Sequence, residues 1–82
     1  MKITMNTTPT CGTCKMAGKR LVAAGVDLEV IDLTEHPDLL AELKRRLGKA
    51  AHEQVQVPLF VDENDEIFDI TGLPELEKRA KL

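Results

Sequence analysis

The stretch Thr8-Pro9-Thr10-Cys11-Gly12-Thr13-Cys14-Lys15 carries both cysteines of the chain, with two residues between them. It follows Lys2 to Asn6, an alternating segment in which Ile3 and Met5 fall on one side, as in a short strand. It runs into a segment where Cys14, Ala17, Leu21 and Ala24 recur at helical spacing, and Gly25 is placed to stop that helix. The pair therefore sits where a strand and turn hand over to a helix beginning at Cys11 or Gly12. A structural crosslink, half of a metal site and a disulfide that opens and closes during turnover all use such a pair. The crosslink is the weakest of these, because a bond across two residues closes too small a loop to remove much unfolded-state entropy.

Outward from this stretch the chain reads as alternating strands and helices. Leu28 to Asp32 is a second strand, apolar enough to be buried on at least one face, and a right-handed parallel crossover is expected between it and the first. Thr34 or His36 can cap a second helix, with Pro37 in its first turn and Leu39, Leu40, Leu43 and Leu47 as the buried stripe before Gly48. Lys49 to Gln56 shows no firm period. Val57 to Val61 is a third strand opening with proline, which is tolerated where no ladder donor is needed. Asp62 to Asp65 turns into a fourth strand, Glu66 to Ile70, as an antiparallel hairpin. Thr71-Gly72-Leu73-Pro74 then leads into a closing helix, about Pro74 to Ala80, with Leu73, Leu76 and Ala80 turned inward. The order is βαβαββα, an α/β chain without repeat or linker, so residues 1–82 are expected to form one domain.

Composition bounds what such a chain does. With 82 residues, 43% hydrophobic content and a formal charge of -3, there is room for one core and one shallow site. The N-terminal residues contain no apolar leader and no stretch reaches membrane-spanning length, so a cytoplasmic location is expected. In that reducing compartment a lone cysteine pair points to catalysis or metal binding. Nucleic acid is not an expected partner: the only aromatics are Phe60 and Phe68, and Lys44, Arg45 and Arg46 share a helix with Glu42 as a solvated face. His36 and His52 could join Cys11 and Cys14 as zinc ligands, but they lie far apart in sequence. His36 is better explained as a helix-start residue and His52 as a loop residue. The acidic turn Asp62 to Glu66 lacks the glycine and the length of a calcium loop and reads as a hairpin tip. Met5 and Met16 read as ordinary packing residues.

The remaining chemistry follows from the helix start. Unpaired N–H groups and the positive end of the helix dipole favour a thiolate, and pairs at this spacing have thiol pKa values of about 7 or below. Cys11, nearest the loop, is expected to be the exposed nucleophile, and Cys14, one turn further on, the partly buried resolving thiol. Gly12 and Thr13 between them are small and leave the site open to a protein partner. Lys15 adds a nearby positive charge.

Cys11-Gly12-Thr13-Cys14 at the start of a helix, Val57-Pro58 at the head of the third strand, a hairpin, and Thr71-Gly72 before the last helix together resemble the thioredoxin-fold redoxins, in particular the glutaredoxins and NrdH-redoxins. The resemblance covers nearly the whole chain. It implies a thioredoxin fold, a four-stranded mixed sheet flanked by helices, and thiol–disulfide oxidoreductase activity through a redox-active Cys11–Cys14 disulfide with no bound cofactor. It further implies a cis Pro58, with the Val57 backbone free to pair with a peptide or glutathione. Thr10, Gly12, Thr13, Val57, Pro58, Thr71 and Gly72 are then the residues bordering the substrate. Electrons would come from NADPH through thioredoxin reductase or glutathione, and pass to a protein disulfide such as that of ribonucleotide reductase. A monomer is expected.

Several positions depart from the pattern. Thr10 stands where thioredoxins carry tryptophan, strand one offers Thr4 and Asn6 but no carboxylate, and Gly12-Thr13 replaces the proline and tyrosine of dithiol glutaredoxins. Thr7 and Thr8 occupy the region of a glutathione-binding lysine, and Pro74 stands where a donor or acid would serve the glutamyl end. Gln54 and Gln56 are further candidates to reach the cleft. These departures favour an NrdH-like protein. A glutathione-dependent glutaredoxin, and a glutathione-assisted iron–sulfur cluster through Cys11 or a zinc module, remain as alternatives.

Overall fold

The computed structural model describes residues 1–50 and 52–81, so Ala51, inside the segment without a firm period, and Leu82 lie outside the described residues. The chain runs β1 (Lys2–Thr7), α1 (Gly12–Ala23), β2 (Asp27–Asp32), a 3-10 turn (Leu33–Glu35), α2 (Pro37–Arg46), β3 (Leu59–Val61), β4 (Ile67–Phe68), a second 3-10 turn (Ile70–Gly72) and α3 (Leu73–Ala80). The sheet order is β2-β1-β3-β4, with β2 parallel to β1 and the other neighbours antiparallel. This is the four-stranded mixed sheet with three helices that the resemblance implies.

Register divides the side chains between two layers. Met5 opposes Val30 on one side and Phe60 on the other, so these residues share a sheet face with Ile3. On that face Ile3, Met5 and Phe60 pack with Cys14, Ala17 and Leu21 of α1 and with Leu73 and Leu76 of α3. The opposite face carries Leu59, which packs with Leu33 and with Leu43 of α2. Val57 packs against both layers. Burying side chains of this size contributes about 1.5–3 kcal/mol each, so the sheet is held from both sides.

Local signals account for most element boundaries. Cys14, Ala17, Gly18 and Leu21 are the buried residues of α1, the i, i+3, i+4, i+7 stripe of an amphipathic helix. That helix stops one residue earlier than the periodicity predicts, because Ala24 is its C-cap. Gly25, at φ +87, and Gly48, at φ +73, then supply the left-handed residues that end α1 and α2.

Several expectations change in the fold. β2 is not a buried strand: it lies at the sheet edge, none of its residues is fully buried, and Val30 is 56% exposed. Neither Thr34 nor His36 caps α2 through its side chain; instead Asp32 Oδ1 accepts the Thr34 N–H at 2.9 Å, which tightens the chain into the 3-10 turn ahead of Pro37. Leu43 alone is fully buried in α2, while Leu47 is its C-cap and is 39% exposed. β3 starts at Leu59 and β4 shortens to two residues, while α3 begins one residue early, at Leu73.

The hairpin tip is closed by the side chain of Asp62. Asp62 Oδ1 accepts the N–H groups of Asn64 and Glu66, each at 2.9 Å. Arg79 of α3 reaches over the hairpin, 3.8 Å from Asp62 and from Glu66, and lies 5.2 Å from the centre of the Phe68 ring. Its Nε bonds Glu75 at 3.1 Å. Helix α3 is further tied to α1 by the ion pair of Glu77 with Arg20.

Candidate active site

The cysteine pair is set by the first turn of α1 and by the bend before it. The Cys11 N–H donates to Thr8 O at 3.2 Å, closing a turn that brings Cys11 to the N-cap position. There its backbone is extended, at φ -86 and ψ 101, and its Sγ accepts the Cys14 N–H at 3.1 Å. A cysteine thus does what serine or aspartate does at most helix starts. No acidic residue stands in the first turn of α1, so nothing there offsets the positive end of the helix. That arrangement favours negative charge on the sulfur at the N-cap.

Cys11 and Cys14 form a disulfide, with Cα atoms 5.2 Å apart. The two sulfurs differ in access: Cys14 is 2% exposed and belongs to the core, whereas Cys11 is half-buried at its edge. Cys11 Sγ also lies 3.9 Å from the carbonyl oxygen of Val57. The disulfide sulfur has no proton, so this is a contact; a thiol at the same place would have an acceptor.

Val57-Pro58 is a cis peptide, as the resemblance implies, and the Pro58 ring is buried. The segment is fastened from behind by Asn6, which is 1% exposed and whose Nδ2 donates to Leu59 O at 3.3 Å. Among the described residues Asn6 Oδ1 has no partner, and β1 carries no carboxylate. Two clefts share Thr8, on the turn before Cys11. One, about 350 Å³, is walled by Thr8, Val57, Leu33, Lys44 and Gln54. The other, about 700 Å³, runs from Cys11 and Cys14 between α1 and β2.

The sequence-predicted residues distribute unevenly around this centre. Cys11, Cys14, Val57 and Pro58 come together, and Gln54 walls the smaller cleft while Gln56 does not. Thr10, Gly12 and Thr13 are exposed on the turn and the first turn of α1, and a Cβ at position 12 would have no atom within 4 Å. Thr71 and Gly72 border the start of α3, where Thr71 donates its hydroxyl and its N–H to Asp69 Oδ1. The Thr71 hydroxyl, with smaller help from backbone N–H groups, holds the Asp69 carboxyl below the usual carboxylate range. Gly72 is packed tightly: a Cβ there would lie 3.1 Å from Phe68. The start of α3 has no side-chain cap, and Pro74 in its first turn lacks an N–H.

The larger cleft was not legible as a site. Its walls include Thr7, Thr8 and Lys15 beside the pair, together with Lys19 and Val22 of α1 and Val30, which reads as part of a buried strand. No local signal marks it, because it exists only where α1 leaves the edge strand uncovered. Among the described residues no three histidine, cysteine or acidic side chains converge as a metal site requires. Nor, among them, is any helix long and apolar enough to cross a membrane.

The sequence profile of the glutaredoxin family matches residues 3–66, which includes the cysteine pair, cis Pro58 and the first three strands. The chain belongs to the glutaredoxin family. Among solved structures, this glutaredoxin-family chain is similar to that of the glutaredoxin-like protein NrdH-redoxin from Escherichia coli, with 23% identity and a TM-score of 0.71 over 95% of this chain and 93% of that one. The fold is thioredoxin-like, and membership together with the Cys11–Cys14 pair makes the protein a thiol–disulfide oxidoreductase in general terms. No curated protein sequence matches this glutaredoxin-family chain.

Proposed function

We propose that the protein is an NrdH-like dithiol reductase of protein disulfides, recycled by thioredoxin reductase. The observation that carries this reading is the asymmetry of the pair: a half-exposed sulfur at the helix N-cap and a buried one a turn behind it. The Cys11 thiolate attacks one sulfur of the substrate disulfide and expels the other as a thiolate, which leaves a mixed disulfide. The Cys14 thiolate then attacks Cys11 Sγ, so the substrate departs as a dithiol and the protein keeps the disulfide. Two electrons and two protons pass to the substrate. NADPH returns them through the reductase.

Around this exchange Val57 presents its carbonyl to the reacting sulfur and Pro58 fixes that carbonyl's position. Thr10, Gly12 and Thr13 leave the approach to Cys11 open, and Thr71 and Gly72 border it. The preference for thioredoxin reductase over glutathione is supported by Pro74, which removes a donor from the start of α3 where an anionic glutamyl end would be held. The solved NrdH-redoxin is described as having a thioredoxin-like activity profile, which is the same division. The expected setting is the cytoplasm, with a monomeric protein and a disulfide-bearing enzyme such as ribonucleotide reductase as target.

A glutathione-dependent reading has its own support in Gln54, which walls the cleft beside Val57 and offers a carboxylate a polar partner. NADPH consumption separates the two. The protein is supplied with a disulfide substrate and either thioredoxin reductase or glutathione with glutathione reductase. Turnover with thioredoxin reductase alone is expected; turnover with glutathione alone would replace the proposal by the second reading.

A further inference from the structure

The cleft of about 700 Å³ between α1 and β2 is the widest on the molecule among those described, and it opens at the disulfide. Met5 lies at its floor, and Val22 and Val30 stand on its two walls, 59% and 56% exposed. An exposed valine on α1 facing another on the uncovered edge strand β2 is apolar surface in water without any structural need. The charges are equally one-sided. Lys15 and Lys19, one helical turn apart, both line the cleft, no carboxylate does, and neither lysine makes an ion pair among the described residues. By contrast Arg20, Arg45, Arg46 and Arg79 each have a carboxylate partner.

We infer that this cleft is the docking groove for the protein substrate, and that it takes a short extended segment, next to the target disulfide, in which aliphatic side chains alternate with carboxylates. The inference rests on the proposed attack of Cys11 on protein disulfides. From Cys14 to Val22 the helix rises by about 12 Å, the span of roughly four residues of extended chain. Aliphatic side chains of such a segment cover Val22 and Val30, while its carboxylates meet Lys15 and Lys19. The redox end of the groove then receives the disulfide. Charge steers the encounter, and apolar contact holds the segment while the sulfurs exchange.

The test is single-turnover oxidation of the pre-reduced full chain by two synthetic peptides, each with one internal disulfide. One peptide is extended by four residues alternating leucine and glutamate, the other by four alternating serine and lysine. Each reaction converts one peptide disulfide to a dithiol and the protein dithiol to its disulfide, so no further reductant is needed. The acidic aliphatic peptide is expected to react about tenfold faster. Lys19→Glu should remove most of that advantage, and so should Val22→Ser or Val30→Ser, whereas all three variants should react with neutral dithiodipyridine at the wild-type rate.

Equal rates for the two peptides would overturn the groove assignment and leave the proposed reductase reading intact. A protein that reduces dithiodipyridine but neither peptide would overturn that reading, and the groove with it. A dimer in sedimentation equilibrium that Val30→Ser abolishes would assign the groove to a second copy of the chain. Val22→Ser and Val30→Ser slowing only reduction by thioredoxin reductase would assign it to the reductant. Either result would end the substrate inference.

Discussion

The same substitution at Gly12 and at Gly72 should act with opposite sign. Gly12 is the first residue of α1, its backbone is helical, and a Cβ there meets nothing within 4 Å. Gly12→Ala therefore only restricts the unfolded chain and improves helix propensity, which stabilises by about 0.4–1 kcal/mol. Gly72 also has an ordinary backbone, at φ -85 and ψ -3, so Gly72→Ala draws the same benefit. There, however, the new methyl lies 3.1 Å from both Cβ and Cδ2 of Phe68, whose ring is held between the core and Arg79. Relieving that overlap costs about 1–3 kcal/mol, so the net loss is about 0.5–2 kcal/mol. Urea unfolding followed by circular dichroism reads both. With a slope of about 1 kcal/mol/M, the midpoint should rise by about 0.4–1 M for Gly12→Ala and fall by about 0.5–2 M for Gly72→Ala. A Gly72→Ala midpoint at or above wild type would refute the packing argument, because it would mean that Phe68 yields at no cost.

Three further outcomes are expected. Cys14→Ser, challenged with a disulfide-bearing protein, should accumulate a mixed disulfide through Cys11 on a non-reducing gel, and Cys11→Ser should not; capture through Cys14 would reverse the proposed roles. Asp69 caps the turn before α3 while exposed, so Asp69→Ala should cost about 0.5 kcal/mol at neutral pH after allowance for solvent screening. Because its folded pKa is depressed, that contribution is present above the unfolded carboxylate value of about 3.9 and is lost as pH falls through the lower folded value, so denaturation curves of wild type and variant should converge in acid. Breaking the α1–α3 ion pair should be asymmetric. Arg20→Ala leaves Glu77, 16% exposed and without another donor at its buried oxygen, and should cost about 1–3 kcal/mol; Glu77→Ala leaves a half-exposed arginine and should cost no more than about 1 kcal/mol in thermal unfolding.

What could be read in the sequence was what is locally encoded. The alternation of Ile3 and Met5, the stripe from Cys14 to Leu21, Pro37 at the start of α2 and the glycines after α1 and α2 each act within a few residues, and the structure places them as read. The pairing of Cys11 with Val57-Pro58 came through the family resemblance, since nothing in the spacing brings residues so distant together. The misreadings arise where neighbours in space decide. Leu28 to Asp32 is apolar enough for a core strand, but only sheet order reveals it as an edge whose Val30 no helix covers. Asp32, two residues ahead of Thr34, captures the Thr34 N–H and caps a separate 3-10 turn, while His36 takes the N-cap position of α2 without a side-chain bond. The 700 Å³ cleft has no sequence signature because it is a gap between elements.

Val57 packs against the hydrophobic layers on both faces of the sheet while its carbonyl oxygen stands beside the Cys11 sulfur. It is the joint at which two otherwise separate halves of the interior reach the reactive atom. A substitution under α2, such as Leu43→Val, can therefore shift the electrostatic surroundings of the pair through the Val57 carbonyl oxygen, with both cysteines left unchanged. Evolution can thus retune such a protein from deep in its far layer. Two chains sharing Cys11-Gly12-Thr13-Cys14 letter for letter need not share a reactivity.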